Sequence, residues 1–250
     1  MGNEQVLISY LPLSHIAAQM LDFMVACSTG GSLYFATPDA LKGGLLNLLQ
    51  EIRPTFLFGV PRVWEKIMDG MKAKGANNSA IKRKIVDSAK WVALSRNNSL
   101  ANSGGNSAGM VSNIGLYKLF NKLVYSKVKI VLGLDRCKLF GSGAAPISKN
   151  VLSYFWSLDI PIVEGFGMSE TTGISTISVF PEKVKLGTVG FSIKDDMVKI
   201  SDDNEILLKG RNIMMGYLNN EEKTRETFDE QGYLKTGDMG SLRPSPDGKT

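Results

Sequence analysis

The segment Gly165-Phe-Gly-Met-Ser-Glu-Thr-Thr-Gly173 gathers several kinds of chemistry in one short stretch. Phe166 offers an aromatic face for stacking, Ser169, Thr171 and Thr172 offer hydroxyls that can bond a phosphate or a carboxylate, and Glu170 offers a carboxylate for a hard cation. Ahead of it, Leu139-Phe-Gly-Ser-Gly-Ala-Ala-Pro146 runs an apolar strand into a turn of small side chains, which lets backbone approach a planar ligand. A plain tight turn accounts for that stretch equally well when it is taken alone. Further on, Tyr233-Leu-Lys-Thr-Gly-Asp238 holds a carboxylate on a glycine turn, where a planar bidentate acceptor can bond the paired hydroxyls of a ribose.

Other phosphate and nucleophile motifs fail on spacing. Gly248-Lys249-Thr250 imitates the end of a Walker loop, but Arg243 stands where the earlier glycine is required. Gly141-Ser-Gly143-Ala-Ala-Pro146 puts proline at the third glycine of the dinucleotide fingerprint. Thr171 occupies the closing glycine position of a nucleophile elbow around Ser169. His15 is the only histidine, and Cys27 and Cys137 are the only cysteines, so multi-histidine zinc sites, Ser/His relays and a disulfide scaffold have little to be built from.

The elements that must position these residues read as alternating strands and helices. Apolar runs at Val6–Tyr10, Ser32–Ala36, Thr55–Val60, Val128–Val131, Lys138–Phe140 and Ile160–Glu164 predict strands. Ile16, Met20, Phe23 and Met24 recur at helix spacing behind Ser14, which can cap, and Leu41–Ile52 predicts a second helix stopped by Pro54. Arg62–Asn97 predicts a basic amphipathic hairpin bent near Gly75–Asn78, and a helix begins near Ile147. Residues 97–113, rich in Asn, Ser and Gly, predict a flexible surface loop. Beyond Thr176, Gly187–Gly190, Met197–Ser201, Glu205–Lys209 and Tyr233–Lys235 predict short strands, with one small helix at Glu221–Thr227. The fold class is therefore α/β: a mostly parallel sheet with helices on both faces over residues 1–184, then the start of a β-rich subdomain over 185–250.

The 250 residues are 43% hydrophobic, enough for a real core, and 29 basic against 24 acidic residues leave a net charge of +5. So small a surplus, spread along the chain, gives no case for nucleic acid. Asp22 and Ser28–Gly31 break the apolar stretch near the start, short of the ~20 residues a bilayer span needs. The first residues match neither a secretory signal nor, with Val6 in the hydroxyl position, a myristoylation pattern. The expected location is cytoplasmic; the basic 62–96 region reads first as a solvated face over a core stripe, with peripheral contact on an anionic membrane surface as the alternative. A strand beginning almost at residue 1 and an abrupt stop at Thr250 lead us to expect a fragment.

Five motifs in order carry a resemblance: Leu11-Pro-Leu-Ser-His15, Gly59-Val-Pro-Arg-Val-Trp64, Gly141–Pro146, Gly165–Thr171 and Lys235–Asp238. Together with Gly210-Arg-Asn-Ile-Met-Met-Gly-Tyr217 they resemble the adenylate-forming acyl-CoA synthetases, and among these the long-chain, bubblegum-type fatty-acid–CoA ligases. The resemblance implies an incomplete N-terminal domain of that fold. It implies that Gly143, Ala144, Ala145 and Pro146 line an adenine pocket with Gly165, Phe166, Gly167 and Met168, the Phe166 ring stacking on the base. It also implies that Ser169 or Thr171 meets the α-phosphate, that Glu170 holds Mg²⁺, and that Asp238 bonds the ribose. His15 would sit near the acyl and phosphate site, with a helix cap or a core imidazole as the plain alternative; Trp64 would gate the fatty-acid tunnel, with a core role as its alternative.

The implied partners are a fatty acid, ATP (leaving as AMP) and coenzyme A. A fatty carboxylate attacks the α-phosphorus of ATP, pyrophosphate leaves, and the thiol of coenzyme A captures the acyl-adenylate. No protein nucleophile is needed, which suits a chain poor in His and Cys. Missing from the family pattern are the phosphate-clamp loop expected before residue 1, and the arginine, hinge and lysine-bearing domain expected after Asp238. The chain is therefore expected not to complete adenylation alone. A non-catalytic AMP- or fatty-acid-binding module, or a ligase for another carboxylic acid, is the alternative reading.

Overall fold

The computed structural model describes residues 5–38, 40, 43–103, 114–181, 184–194 and 197–243. Strand β1 (Val6–Ser9) pairs in parallel with β2 (Ser32–Phe35), Val6 opposite Ser32. Helix α1 (residues 16–29) crosses between them; its α-helical ends, Ile16–Ala18 and Ala26–Thr29, flank a π-helical stretch, Gln19–Val25. Its cap is His15 rather than Ser14, because the imidazole Nδ1 accepts the Ala17 N–H at 3.1 Å.

The central sheet has the order β3-β4-β5-β6-β7, formed by Phe56–Gly59, Leu139–Ser142, Ile162–Met168, Gly173–Ile177 and Phe191–Ser192. It is parallel from β3 to β5 and antiparallel from β5 to β7. Thr55 ties β1 to its edge, donating its N–H to the Val6 carbonyl at 2.9 Å, while its own carbonyl accepts the Lys138 N–H at 2.8 Å.

Helix α2 (Leu45–Ile52) ends where Arg53 turns left-handed at φ 52°, and Pro54 forbids its continuation. The basic hairpin forms as read: α3 (Pro61–Ala76) starts on its proline, and α4 (Ala80–Asn102) is capped by the Ser79 hydroxyl. Residues 97–102, expected in a loop, extend α4 instead. Asn97 is fully buried there, and its amide donates to the Trp156 carbonyl at 2.9 Å, a bond that repays burying a polar side chain. The rest of that expected loop, 104–113, lies outside the described residues.

Val128–Val131, expected as a strand, is the last turn of α5 (residues 114–131), which has a π-helical stretch at Asn121–Tyr125. Four β-branched and basic residues are ambiguous alone; Tyr117, Val124, Tyr125 and Val128 recur at helix spacing and pack inward. Helix α6 (Lys149–Trp156), capped by Ser148, supplies Leu152 and Phe155 to a core with Leu57, Trp64, Phe140 and Ile162.

In the later part, β8 (Val198–Ile200), β9 (Glu205–Leu208) and β10 (Leu234–Met239) form an antiparallel sheet, and α7 (Glu221–Thr227) is capped by Asn220. Gly187–Gly190 is a turn rather than a strand. Its glycines sit at φ 77° and 86°, and Thr188 donates its N–H to the Lys185 carbonyl at 3.1 Å. Among the described residues, no helix is long and apolar enough to cross a membrane.

Candidate functional site

β5 does not stop at Glu164 but continues through Gly165-Phe-Gly-Met168, because its parallel pairing with β4 hands over to antiparallel pairing with β6. Gly165 faces Ile177 and Phe166 faces Thr176; the register slips between Phe166 and Gly167, and Met168 closes the pair opposite Gly173. Gly167 is demanded by space, since a β-carbon there would lie 1.8 Å from the Gly173 carbonyl oxygen.

The small-residue turn meets this strand directly. Ser142 pairs with Glu164 in register, and a β-carbon on Gly143 would lie 2.9 Å from the Gly165 carbonyl oxygen. Ala144, left-handed at φ 67°, Ala145 and Pro146 then stand exposed beside β5. The Glu164 carboxyl is pushed up to about 7 by burial, against the pull of the Gly187 N–H and Lys149.

After β5 a 3₁₀ turn, Ser169–Thr171, leads to Thr172 in the left-handed region at φ 54°. The Thr171 side chain is fully buried. Its Oγ1 accepts the Met168 N–H at 3.1 Å and donates to the Gly173 carbonyl at 2.8 Å, so this hydroxyl builds the turn. Ser169 is exposed. Glu170 is half-buried, and its Oε1 accepts the Tyr217 hydroxyl at 2.9 Å. That bond, with burial, holds the Tyr217 phenol above its ordinary range.

The glycine-bracketed segment 210–217 lies across this turn. Asn212 Nδ2 donates to the Thr171 carbonyl at 2.8 Å, Thr172 Oγ1 donates to the Asn212 carbonyl at 2.7 Å, and Met214 N–H donates to the Glu170 carbonyl at 2.8 Å. Asn212 and Tyr217 had no role assigned from sequence. The two glycines around them marked a tight segment, but nothing local pointed to a turn some forty residues earlier.

Asp238 is exposed on β10, where Gly237 at φ 74° sits in a register shift against β9. Thr236 Oγ1 accepts the Asp238 N–H at 3.1 Å, and Glu205 Oε1 accepts the Gly237 N–H at 2.7 Å, so these bonds fix the backbone that carries the carboxylate. β9, the neighbour of β10, leads through Lys209 into the 210–217 segment.

His15 caps α1, whose Ile16 and Met20 rest against Gly173; a β-carbon there would meet Met20 Cγ at 3.1 Å. The imidazole thus heads a helix that touches the far end of the 169–173 turn. Trp64 is fully buried, donates Nε1–H to the Gly141 carbonyl at 3.2 Å and meets Phe155 edge-on at 5.1 Å. Two hollows lie away from Phe166 and Asp238. One sits between Tyr10, Leu11, Asp22 and Phe58; the other, on the surface, is lined by Tyr217, Asn219, Thr224 and Arg225.

Among the described residues no three His, Cys, Asp or Glu side chains cluster to cage a metal. A lone fixed carboxylate suits a cation that takes its remaining ligands from water and phosphate, as Mg²⁺ does, and Glu170 fits that donor set.

Residues 1–218 match a protein-family model described as AMP-binding enzyme. The chain is 48% identical over 242 residues to "Long-chain-fatty-acid--CoA ligase ACSBG2" of Xenopus laevis, covering 95% of this chain and 32% of that protein. Against the Homo sapiens protein of that name it is 40% identical over 244 residues, covering 96% and 36%. It therefore spans about a third of the length of the curated relatives it matches. Among solved structures, apo MatB from Rhodopseudomonas palustris superposes with a TM-score of 0.62 at 20% identity, over 99% of this chain and 40% of that one. MenE from Bacillus subtilis, in complex with AMP, gives 0.61 at 18% identity, over 99% and 40%. At such identities these two structures speak for the fold.

Proposed function

The chain belongs to the AMP-binding enzyme family, and we propose that its 143–173 turns, with Asp238, are the adenylate side of a site that activates a long-chain fatty acid with ATP and passes it to coenzyme A. The observation that carries the reading is the approach of Gly143 to Gly165, which sets the small-residue turn beside the strand that bears Phe166 and leads to Glu170. Backbone from Gly143 to Pro146 borders the adenine, with Gly165, Gly167 and Met168 forming the strand beside it and the Phe166 ring stacking on the base. Ser169, the exposed hydroxyl of the turn, meets the α-phosphate, and Thr171 shapes the turn from beneath. Asp238 bonds the ribose hydroxyls. His15 orders the approach to the turn through the helix it caps. Trp64 backs the β3 and β4 ends from the core.

Mg²⁺ bound at Glu170 would neutralise charge on the phosphoryl oxygens. The chain's own residues bind and orient: the carboxylate oxygen of the fatty acid bonds to the α-phosphorus as pyrophosphate leaves, then the thiolate sulfur of coenzyme A bonds to the acyl carbon as AMP leaves. Hydrogen-bond donors fixed before the reaction stabilise the charge that builds in the first step.

AMP titrated calorimetrically into the chain tests the reading. Asp238→Ala is expected to weaken AMP by about 5- to 150-fold, the loss of about 1–3 kcal/mol for hydrogen bonds to a charged acceptor. Equal affinity removes Asp238 from the ribose; no AMP binding by the unaltered chain removes the site.

The peripheral membrane contact we assign to one face of α4. Ile81, Lys84, Ser88 and Trp91 follow at helix spacing, with Ile81 74% and Trp91 64% exposed, beside the buried row of Ala89, Val92 and Ala93. Lysines and arginines near an anionic bilayer are worth about 1 kcal/mol each. Co-sedimentation with phosphatidylserine vesicles is expected, with a severalfold loss in Trp91→Ala; equal partition onto phosphatidylcholine would remove the charge argument.

A further inference from the structure

We propose that Tyr217 is the positioning residue for Glu170, and that the 210–217 segment is a strap that sets the orientation of this carboxylate for a divalent cation. The inference rests on the reading of Glu170 given above. A carboxylate on a short turn can rotate, and its two oxygens are equivalent until something distinguishes them. The Tyr217 hydroxyl does so by donating to Oε1 at 2.9 Å, so that a cation would take Oε2. The phenol is held in turn: Tyr217 N–H donates to Thr224 Oγ1 at 2.8 Å, and that hydroxyl donates to the Asn220 carbonyl at 2.8 Å.

Gly216 allows the arrangement, because a β-carbon there would lie 2.6 Å from Thr224 Cγ2. Three further bonds, from Asn212 to Thr171, from Thr172 to Asn212 and from Met214 to Glu170, fix the strap on the turn from both backbones. The bond to Glu170 thus comes from a side chain whose own backbone is tied to α7, across a separation of 47 residues. Outer partners of this kind orient metal ligands, and their loss lowers metal affinity by about 10- to 100-fold.

The test is Mn²⁺ binding to the AMP-saturated chain, followed by water proton relaxation, in the unaltered protein, Tyr217→Phe, Glu170→Gln and the double variant. Tyr217→Phe is expected to weaken Mn²⁺ about tenfold, more than any change in AMP affinity measured in EDTA, and the double variant to bind no worse than Glu170→Gln alone. Unaltered Mn²⁺ affinity in Tyr217→Phe, with Mn²⁺ lost in Glu170→Gln, overturns the positioning role and leaves the metal assignment standing. Unaltered Mn²⁺ affinity in Glu170→Gln overturns the metal assignment itself, and the positioning role with it. Thr224→Val, which loosens the strap while keeping the phenol, covers the case in which Tyr217→Phe fails to fold. It is expected to shift Mn²⁺ affinity in the same direction by a smaller factor, and no shift counts against the strap.

Discussion

Trp64→Ala is expected to lower the unfolding free energy by about 3–5 kcal/mol, the usual cost of emptying a large aromatic site in a close-packed core. For a domain worth about 5–15 kcal/mol, that is a large share of the total. Trp64 has no exposed surface, sits edge-on to Phe155 at 5.1 Å and shares a cluster with Leu57, Leu152 and Ile162. Truncation also leaves the buried Gly141 carbonyl without the indole N–H that it accepts at 3.2 Å. Trp91, 64% exposed on α4, is the control, and alanine there should change stability by no more than about 0.5 kcal/mol. Urea midpoints of the two variants decide between them: similar values would place Trp64 outside the core. Of the two roles read for this residue in the sequence, packing supports the core, because a side chain with no exposed surface offers a tunnel no wall until its neighbours move.

The elements that the sequence revealed are those whose signal is periodic over many residues or marked at both ends. The α3–α4 hairpin has stripes spaced for helices, a proline at its start and a serine cap at its second helix, and it folds accordingly. Glu221–Thr227 was legible to the residue, with Asn220 ahead of it. The misreadings share a different cause. Val128–Val131 has strand composition over four residues, and only the rows of side chains from Tyr117 onward, buried against α4, reveal one helix. The strand predicted at Ile160–Glu164 stops short of Gly165-Phe-Gly167 because glycine weakens strands, yet pairing with β6 keeps these residues extended. Asn97 looks like loop composition until Trp156 gives its amide a buried acceptor. In each case tertiary packing overrode local preference.

Legibility of the candidate site divides along the same line. Residue types along one strand and its following turn are local, so Phe166, Ser169 and Glu170 could be picked out from sequence as candidates. The adjacency of 143 and 165 could be anticipated too, because successive parallel strands place their carboxyl ends side by side. What sequence could not supply is which hydroxyl is free. Thr171 and Ser169 differ by burial alone: one closes hydrogen bonds inside the turn and the other faces out. Nor could it supply the strap, since a bond between residues 170 and 217 depends on how the segment after β9 lies across the turn after β5.

Gly165 and Gly167 look interchangeable as letters, and the structure separates them sharply. Gly167→Ala is expected to cost about 3 kcal/mol, because its β-carbon would fall 1.8 Å from the Gly173 oxygen and 2.6 Å from the Gly173 carbon. Both are backbone atoms, so no side chain can swing aside, and β5 and β6 must part where the register already slips. At Gly165 the nearest atom to an added β-carbon is the Thr176 oxygen at 3.4 Å, an ordinary contact, and Gly165→Ala should change stability by about 0.5 kcal/mol or less. Parting the strands at 167 also displaces Phe166 and the Met168 N–H that anchors Thr171, so loss of stability and loss of AMP binding should travel together in Gly167→Ala. Thermal melts, amide exchange along Gly173–Ile177 and AMP titration of the two variants read this out. Equal melting of Gly165→Ala and Gly167→Ala, or unchanged β6 exchange in the latter, would mean that β5 and β6 do not approach closely at Gly173, and the tight end of β5 that presents Ser169 and Glu170 would lose its physical basis.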